Sequence, residues 1–254
     1  ELKGDVIRFH GRPRMRPEAG AVVALFHVRY FAQGISLSFS KDILLKDIIL
    51  YRTLSNGFSG FRCENITMDR ASVRVNADAS HFSECRGTIK VENCAHTGQG
   101  DDFINVHGTS VKITGVSGPR TVEVASEGKG SGRTITVGDE YWFIDIRTAQ
   151  RGEVRTVETK TPLYRDGRCT GYAVSFDKPL PAGVKSGDFL ECKTWTPRLE
   201  LRHCQILKRH RARGILVTTP KEVIIEDNYF RTAGTAILIE GDFDYWYESG
   251  ANTN

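Results

Sequence analysis

The chain has 254 residues, of which 39% are hydrophobic and 26% charged, ordinary values for a soluble protein. No apolar run is long enough to cross a bilayer and no signal-peptide pattern opens the sequence, so no membrane span is expected. The net charge of +4 is mild, and its one cluster, Arg202, His203, Lys208 to Arg211 and Arg213, reads as a solvated flank; without a recognition module no nucleic-acid partner is expected.

Residues 1 to 34 contain Asp5 to Phe9, a loop with Pro13 and Pro17, and Ala21 to Val28, read as strands entering a first coil. Glu1 is not an initiator methionine, which points to a processed, trimmed or partial chain. From residue 35 to 113 the sequence repeats with a period of 23. Ile43, Ile66 and Ile89 form one column, Leu45, Met68 and Val91 another, and Ile35, Phe58, His81 and Ile104 a third. The apolar runs within each period are strand-sized, and polar turns such as Ser55-Asn56-Gly57 separate them. Such an array predicts a parallel β-helix, in which each coil buries its interior only by stacking on its neighbours.

Beyond about Val116 the period disappears. Glycine turns alternate with strand candidates at 134–137, 141–144, 154–157 and 173–176, and Pro179 to Gly183 reads as a loop. This pattern predicts a small antiparallel barrel or sandwich. Coils return from Leu199, where Arg213-Gly214-Ile215-Leu216-Val217 is echoed 22 residues later by Thr235 to Ile239. The expected architecture is therefore all-β: a right-handed parallel β-helix (solenoid) over 1–115 and 196–254, with an inserted small antiparallel β-barrel subdomain over 116–195. The closing segment Glu240 to Gly250 is acidic and aromatic, suited either to a sugar-binding loop or to packing on the last coil.

The six cysteines contain no C-x-x-C pair, so zinc is not expected; buried thiols are favoured, with disulfides left open. The candidate chemistry lies in Asn76 to Phe82 and Gly98 to Thr109. The period stacks Ala32, Ser55, Asp78 and Asp101, and Asp102 adds a third carboxylate. Crowded carboxylates can serve as acid and base in glycoside hydrolysis, because like charges push their pKa values apart. They can equally be a polar ladder or bind Ca²⁺. His81, in an apolar column, reads as a core residue, and His107 as the better candidate to touch substrate.

Four separated segments carry a resemblance: Asn76 to Phe82; Asp101 to Thr109; Arg213 to Thr219; and Gly234 to Asp242 with Trp246 to Gly250. Together they resemble glycoside hydrolase family 110, α-1,3-galactosidases that release the terminal galactose of blood-group-B and related glycans. The resemblance implies a bacterial parallel β-helix enzyme with β-barrel modules, inverting and without cofactor or metal. Its catalytic aspartates match Asp78, Asp101 and Asp102. His81, Asn105, His107, Arg213, Glu240, Asp242, Trp246 and Glu248 are the expected substrate contacts. The expected partner is an oligosaccharide or glycoconjugate with terminal α-galactose; a homo-oligomer is allowed, and a secreted or periplasmic location is expected. A more distant likeness to polygalacturonases gives Asp101 the proton-donor role and leaves the water to Asp78 and Asp102. A glycan-binding solenoid and a Ca²⁺-dependent lyase are the alternatives.

Overall fold

The computed structural model describes residues 2–8, 10, 18–21, 32–208 and 213–248. The segment 22–28, most of the expected strand Ala21 to Val28, lies outside the described residues, as do 9, 13, 17, 209–211 and 249–250 of the readings above. Near the start, Leu2–Lys3 pairs antiparallel with Val6–Ile7 as a hairpin rather than as a coil.

Three parallel sheets form a β-helix. The first holds Lys41–Lys46, Glu64–Asp69, Arg86–Glu92, Pro197–Arg202 and Val223–Glu226. Ile49–Thr53, Ser72–Val75, Ala95–Thr97, Gln205–Lys208 and Tyr229–Phe230 make the second. The third, which bears the candidate site, stacks Ile35–Ser38, Phe58–Phe61, Ser80–Ser83, Ile104–His107, Ile215–Val217 and Ile237–Leu238. Alternate residues point inward. Ile66, Met68, Ile89, Val91, Leu199 and Leu201 therefore meet Phe58, Phe82, Ile104, Val106 and Ile215 in one buried core. Each such side chain contributes roughly 1.5–3 kcal/mol of burial. Between the first and second sheets each coil turns through one residue of positive φ: Asp47, Arg70, Asn93, His203 and Asp227. Asp, Asn and His enter that left-handed region more readily than most side chains.

Two of the columns read from the sequence pair as expected, Ile43 with Ile66 and Ile89, and Leu45 with Met68 and Val91. The third column requires a correction. Phe58 pairs with Ser80, which pairs with Ile104. His81 instead pairs with Ser59 and Asn105. A register irregularity between Leu50 and Thr53 makes the step from Phe58 to Ser80 one residue short, and the next coil restores it. Because strand side chains alternate, that single residue moves His81 from the core face to the outer face.

The chain leaves the third sheet for a closed antiparallel barrel, ordered Ser110–Gly118, Thr121–Ala125, Arg168–Phe176, Gln150–Arg165, Glu140–Asp145 and Phe189–Cys192. Val111, Ile113, Val122, Val124, Tyr141, Phe143, Val174, Phe176 and Leu190 fill it. The expected strand at 134–137 is absent: Gly132–Thr134 forms a 3₁₀ turn and Ile135 is buried in the barrel core. Side chains satisfy the carbonyls there instead of a ladder, Arg62 donating to Thr134 O at 2.6 Å and Lys160 to Ile135 O at 3.0 Å. Arg62 also donates to Glu84 at 2.6 Å and meets Asp139 at 3.0 Å, so a buried polar network ties barrel to coils. All six cysteines are free thiols, five of them buried.

Candidate active site

The turn before the third sheet positions the aspartates. Asp101 N donates to Ala77 O, and Ala79 N donates to Asp102 O. Asp101 and Asp102 thus occupy together the position that Asp78 occupies alone on the coil before, a one-residue bulge. Gly100 makes the approach possible: a Cβ there would lie 2.1 Å from Asn76 O. The column of the sequence reading therefore holds for Asp78 and Asp101, and the bulge adds Asp102 to it, whose N–H donates to Asp78 Oδ1 at 3.1 Å. One oxygen of each aspartate lies within 4.8 Å of the others, a spacing that could also hold a cation. Asp78 and Asp102 are buried, whereas Asp101 is more open.

Each buried carboxylate has a cationic holder. Arg213 forks onto Asp102, its Nε reaching Oδ1 at 2.9 Å and its second guanidinium nitrogen Oδ2 at 2.7 Å, while its backbone N–H adds a third bond at 3.1 Å. Burial and the nearby charge of Asp78 push the Asp102 carboxyl above its ordinary value, and Arg213 opposes the shift. Asp78 accepts from His81 Nδ1 at 2.7 Å. Behind His81, Nε2 of His107 lies 3.0 Å from His81 Nε2, and His107 Nδ1 is 2.5 Å from Gly108 O. A carbonyl accepts only, so His107 carries its proton on Nδ1 and its Nε2 is an acceptor. The 3.0 Å contact between the rings is a hydrogen bond when His81 carries a proton on Nε2 as well as on Nδ1, that is, as an imidazolium. The electrostatics agree: burial disfavours the charged His81, yet Asp78, Glu248 and Asp102 raise its pKa above the ordinary value. His107 is lowered by burial and by the charge of His81.

A cleft of about 900 Å³ opens over these groups. Asp78, Asp101, Asp102, His81, Asn105, Arg213, Glu240, Asp242, Trp246 and Glu248 all line it. His107 does not. It is buried behind His81, the reverse of the order expected from the sequence. Asn56, Leu216, Gly241, Phe243 and Asp244 also line the cleft and were not singled out. Asn56 had a usable signal: with the correct step of 22 it sits beneath Asp78, whose N–H donates to Asn56 Oδ1 at 3.3 Å.

The far wall is the 240–248 loop. Asp242 folds it by accepting from the N–H groups of Asp244, Tyr245 and Trp246 at 2.7, 2.9 and 2.7 Å. Although burial pushes its carboxyl upward, these three donors hold Asp242 below the ordinary carboxylate value. Glu248 is anchored by a bridge to Thr109 and by Asn105, whose Nδ2 donates to Glu248 Oε2 at 3.1 Å. Trp246, 54% exposed, presents its ring beside Lys129 of the barrel, whose Nζ lies 3.0 Å from the ring centroid. The lining carries seven carboxylates against Arg213 and His81.

No protein-family model matches the chain. Curated relatives do. It is 36% identical to α-1,3-galactosidase B of Bacteroides thetaiotaomicron over 252 residues, covering 92% of this chain and 39% of the relative. It is 35% identical to an α-1,3-galactosidase B of Phocaeicola vulgatus, covering 95% and 42%, and 32% identical to α-1,3-galactosidase A of Bacteroides fragilis, covering 98% and 43%. The chain therefore spans about two fifths of the length of these relatives. Over the segment it spans, the chain is similar to these α-1,3-galactosidases, a similarity consistent with glycoside hydrolase family 110.

Proposed function

We propose that this chain carries the catalytic cleft of an exo-acting glycoside hydrolase that removes terminal α-1,3-linked galactose by inversion. The observation that carries the reading is the cluster of Asp78, Asp101 and Asp102 on adjacent coils, facing a cleft with the Trp246 ring on its wall. Asp101, the most open of the three, gives a proton to the leaving oxygen. Asp78, hydrogen-bonded to His81, and Asp102, held by Arg213, orient the attacking water and take its proton. An aromatic ring among carboxylates suits the apolar face and hydroxyls of a neutral sugar. Seven carboxylates in the lining disfavour the polygalacturonase-like alternative, which would bring an acidic polymer into the same cleft.

A second reading concerns stereochemistry. The carboxylate oxygens approach within 4.8 Å, whereas inverting acid and base pairs usually stand roughly 6.5–9.5 Å apart and retaining pairs about 5–5.5 Å. Proton NMR of galactose released from linear Gal-α-1,3-Gal and from branched blood-group-B oligosaccharide, with chelator present, tests both points. Early β-galactose supports inversion, and early α-galactose replaces it with retention. Galactose bound but never released would leave a glycan-binding protein. Asp101→Asn is expected to lower kcat by about 10²–10⁴ with the thermal transition unchanged; full turnover in that variant removes Asp101 from the acid role.

A further inference from the structure

We infer that His81, His107 and Glu248 form a binding site for a divalent transition-metal ion of the zinc type. Nε2 of His81 and Nε2 of His107 face one another at 3.0 Å, and Oε1 of Glu248 lies 3.9 Å from His107 Nε2. The three ligand atoms fall within 4.8 Å of one another. Two imidazoles and a carboxylate are a recognised zinc ligand set, and Zn–N bonds of about 2.0–2.1 Å in a tetrahedron separate two nitrogens by about 3.3 Å. The pair need open by only a few tenths of an ångström. The expectation against zinc drawn from cysteine spacing does not bear on this set, which contains no cysteine.

What distinguishes this set from two adjacent histidines is its outer partners. Metal-binding histidines almost always donate their second N–H to a carboxylate or a backbone carbonyl, which aims the free nitrogen at the ion. His81 Nδ1 is bonded to Asp78 at 2.7 Å and His107 Nδ1 to Gly108 O at 2.5 Å. Glu248 is steadied in turn by Asn105. His107 is buried, whereas His81 and Glu248 line the cleft, so an ion enters from the cleft and its fourth position faces the space where the sugar would sit. The ion displaces the proton between the two rings to solvent, both histidines bind as neutral imidazoles, and loss of the positive charge beside Asp78 makes the bound ion an inhibitor of the metal-free hydrolysis proposed above.

The test is calorimetric titration of the chelator-stripped protein with ZnCl₂, which does not depend on any activity. One equivalent is expected, with affinity reduced at least tenfold in His107→Gln and in Glu248→Gln, variants whose folding is checked by circular dichroism. Cobalt(II) should give the visible absorption of a tetrahedral site and lose it in the same variants. Should His107→Gln fail to fold, Glu248→Gln decides alone. No stoichiometric binding, or binding unchanged in the folded variants, overturns the assignment. So does binding abolished by Asp101→Asn but kept in His107→Gln, which would move the ion to the aspartates.

Discussion

The backbone N–H of Asp102 donates to the carboxylate of Asp78 at 3.1 Å, a bond between two acidic residues 24 positions apart on successive coils. It exists because one extra residue bulges the later coil, and it brings three carboxylates together where the repeat alone would stack two. Arg213, on the next coil, completes the stack.

Arg213→Met is expected to leave the Asp102 carboxylate buried without its fork. Removing one partner of a buried pair usually costs about 3–5 kcal/mol; Arg213 is partly exposed, so roughly 2 kcal/mol is expected here. A fall in the urea midpoint would show it, alongside a loss in kcat/KM. Arg213→Lys keeps the charge and loses the bidentate geometry, so it should recover stability more than activity. Equal recovery of both would mean that charge alone matters.

Glycines near the bulge separate stability from positioning. In Gly100→Ala the new Cβ would meet Asn76 O at 2.1 Å, a backbone atom that cannot yield without moving the Asp101-Asp102 turn. Misplacement on the ångström scale costs about 10²-fold in rate, beyond a stability loss of roughly 1–3 kcal/mol. Gly98→Ala serves as the control: φ is +68° there, so some strain arises, but the nearest atom to the Cβ is Arg74 Nε at 3.6 Å. Similar stability losses with activity lost only in Gly100→Ala are the expected pattern.

The β-helix was legible because its inward residues repeat, and Ile43, Ile66 and Ile89 mark the coils without help from any other information. The site was legible in its residue types and only partly in its geometry. A fixed period of 23 cannot register the one-residue loss between Leu50 and Thr53, so the column favours His107 over His81 for the substrate although the resemblance names both, whereas the strand register brings His81 to the cleft and leaves His107 buried. Thr134 to Val137 has the β-branched composition of a strand, but its carbonyls are taken by Arg62 and Lys160, long-range partners that no local pattern reveals. Lys129 lies more than a hundred positions before Trp246, and a lysine in a glycine turn carries no sign of the ring it covers.

The histidine inside the coils should govern acid sensitivity. His96 is fully buried against Phe103, and neither ring nitrogen makes a hydrogen bond among the described residues. Burial lowers its pKa to about 4. The unfolded chain takes up this proton near pH 6.5, while the folded chain refuses it until about 4. Stability is therefore complete above roughly pH 6.5 and is lost as pH falls toward about 4, by an amount on the order of 3 kcal/mol. His96→Leu removes that dependence. Denaturation midpoints at pH 7 and pH 5 should fall less in the variant than in the unaltered protein, and equal falls would assign the acid limb to other groups.

Lys129 sets the last expectation, because it ties the barrel to the Trp246 ring of the cleft wall. Its ammonium lies 3.0 Å from the Trp246 ring centroid and 4.1 Å from that of Tyr245. In the same glycine turn Gly130 packs so closely on Tyr247 that a Cβ would come within 2.6 Å of its ring. A cation on an exposed ring contributes about 0.5–1 kcal/mol, enough to hold Trp246 in one orientation but too little to affect the global fold. In Lys129→Ala the ring gains freedom, and substrate must then restrain it on binding. KM for the oligosaccharide should rise severalfold, with kcat and the thermal transition nearly unchanged, since Lys129 approaches none of the reacting groups. Lys129→Arg should restore the lower KM through the same ring contact. A kcat loss in Lys129→Ala at constant KM would place the barrel's influence on the aspartates instead of on the Trp246 ring.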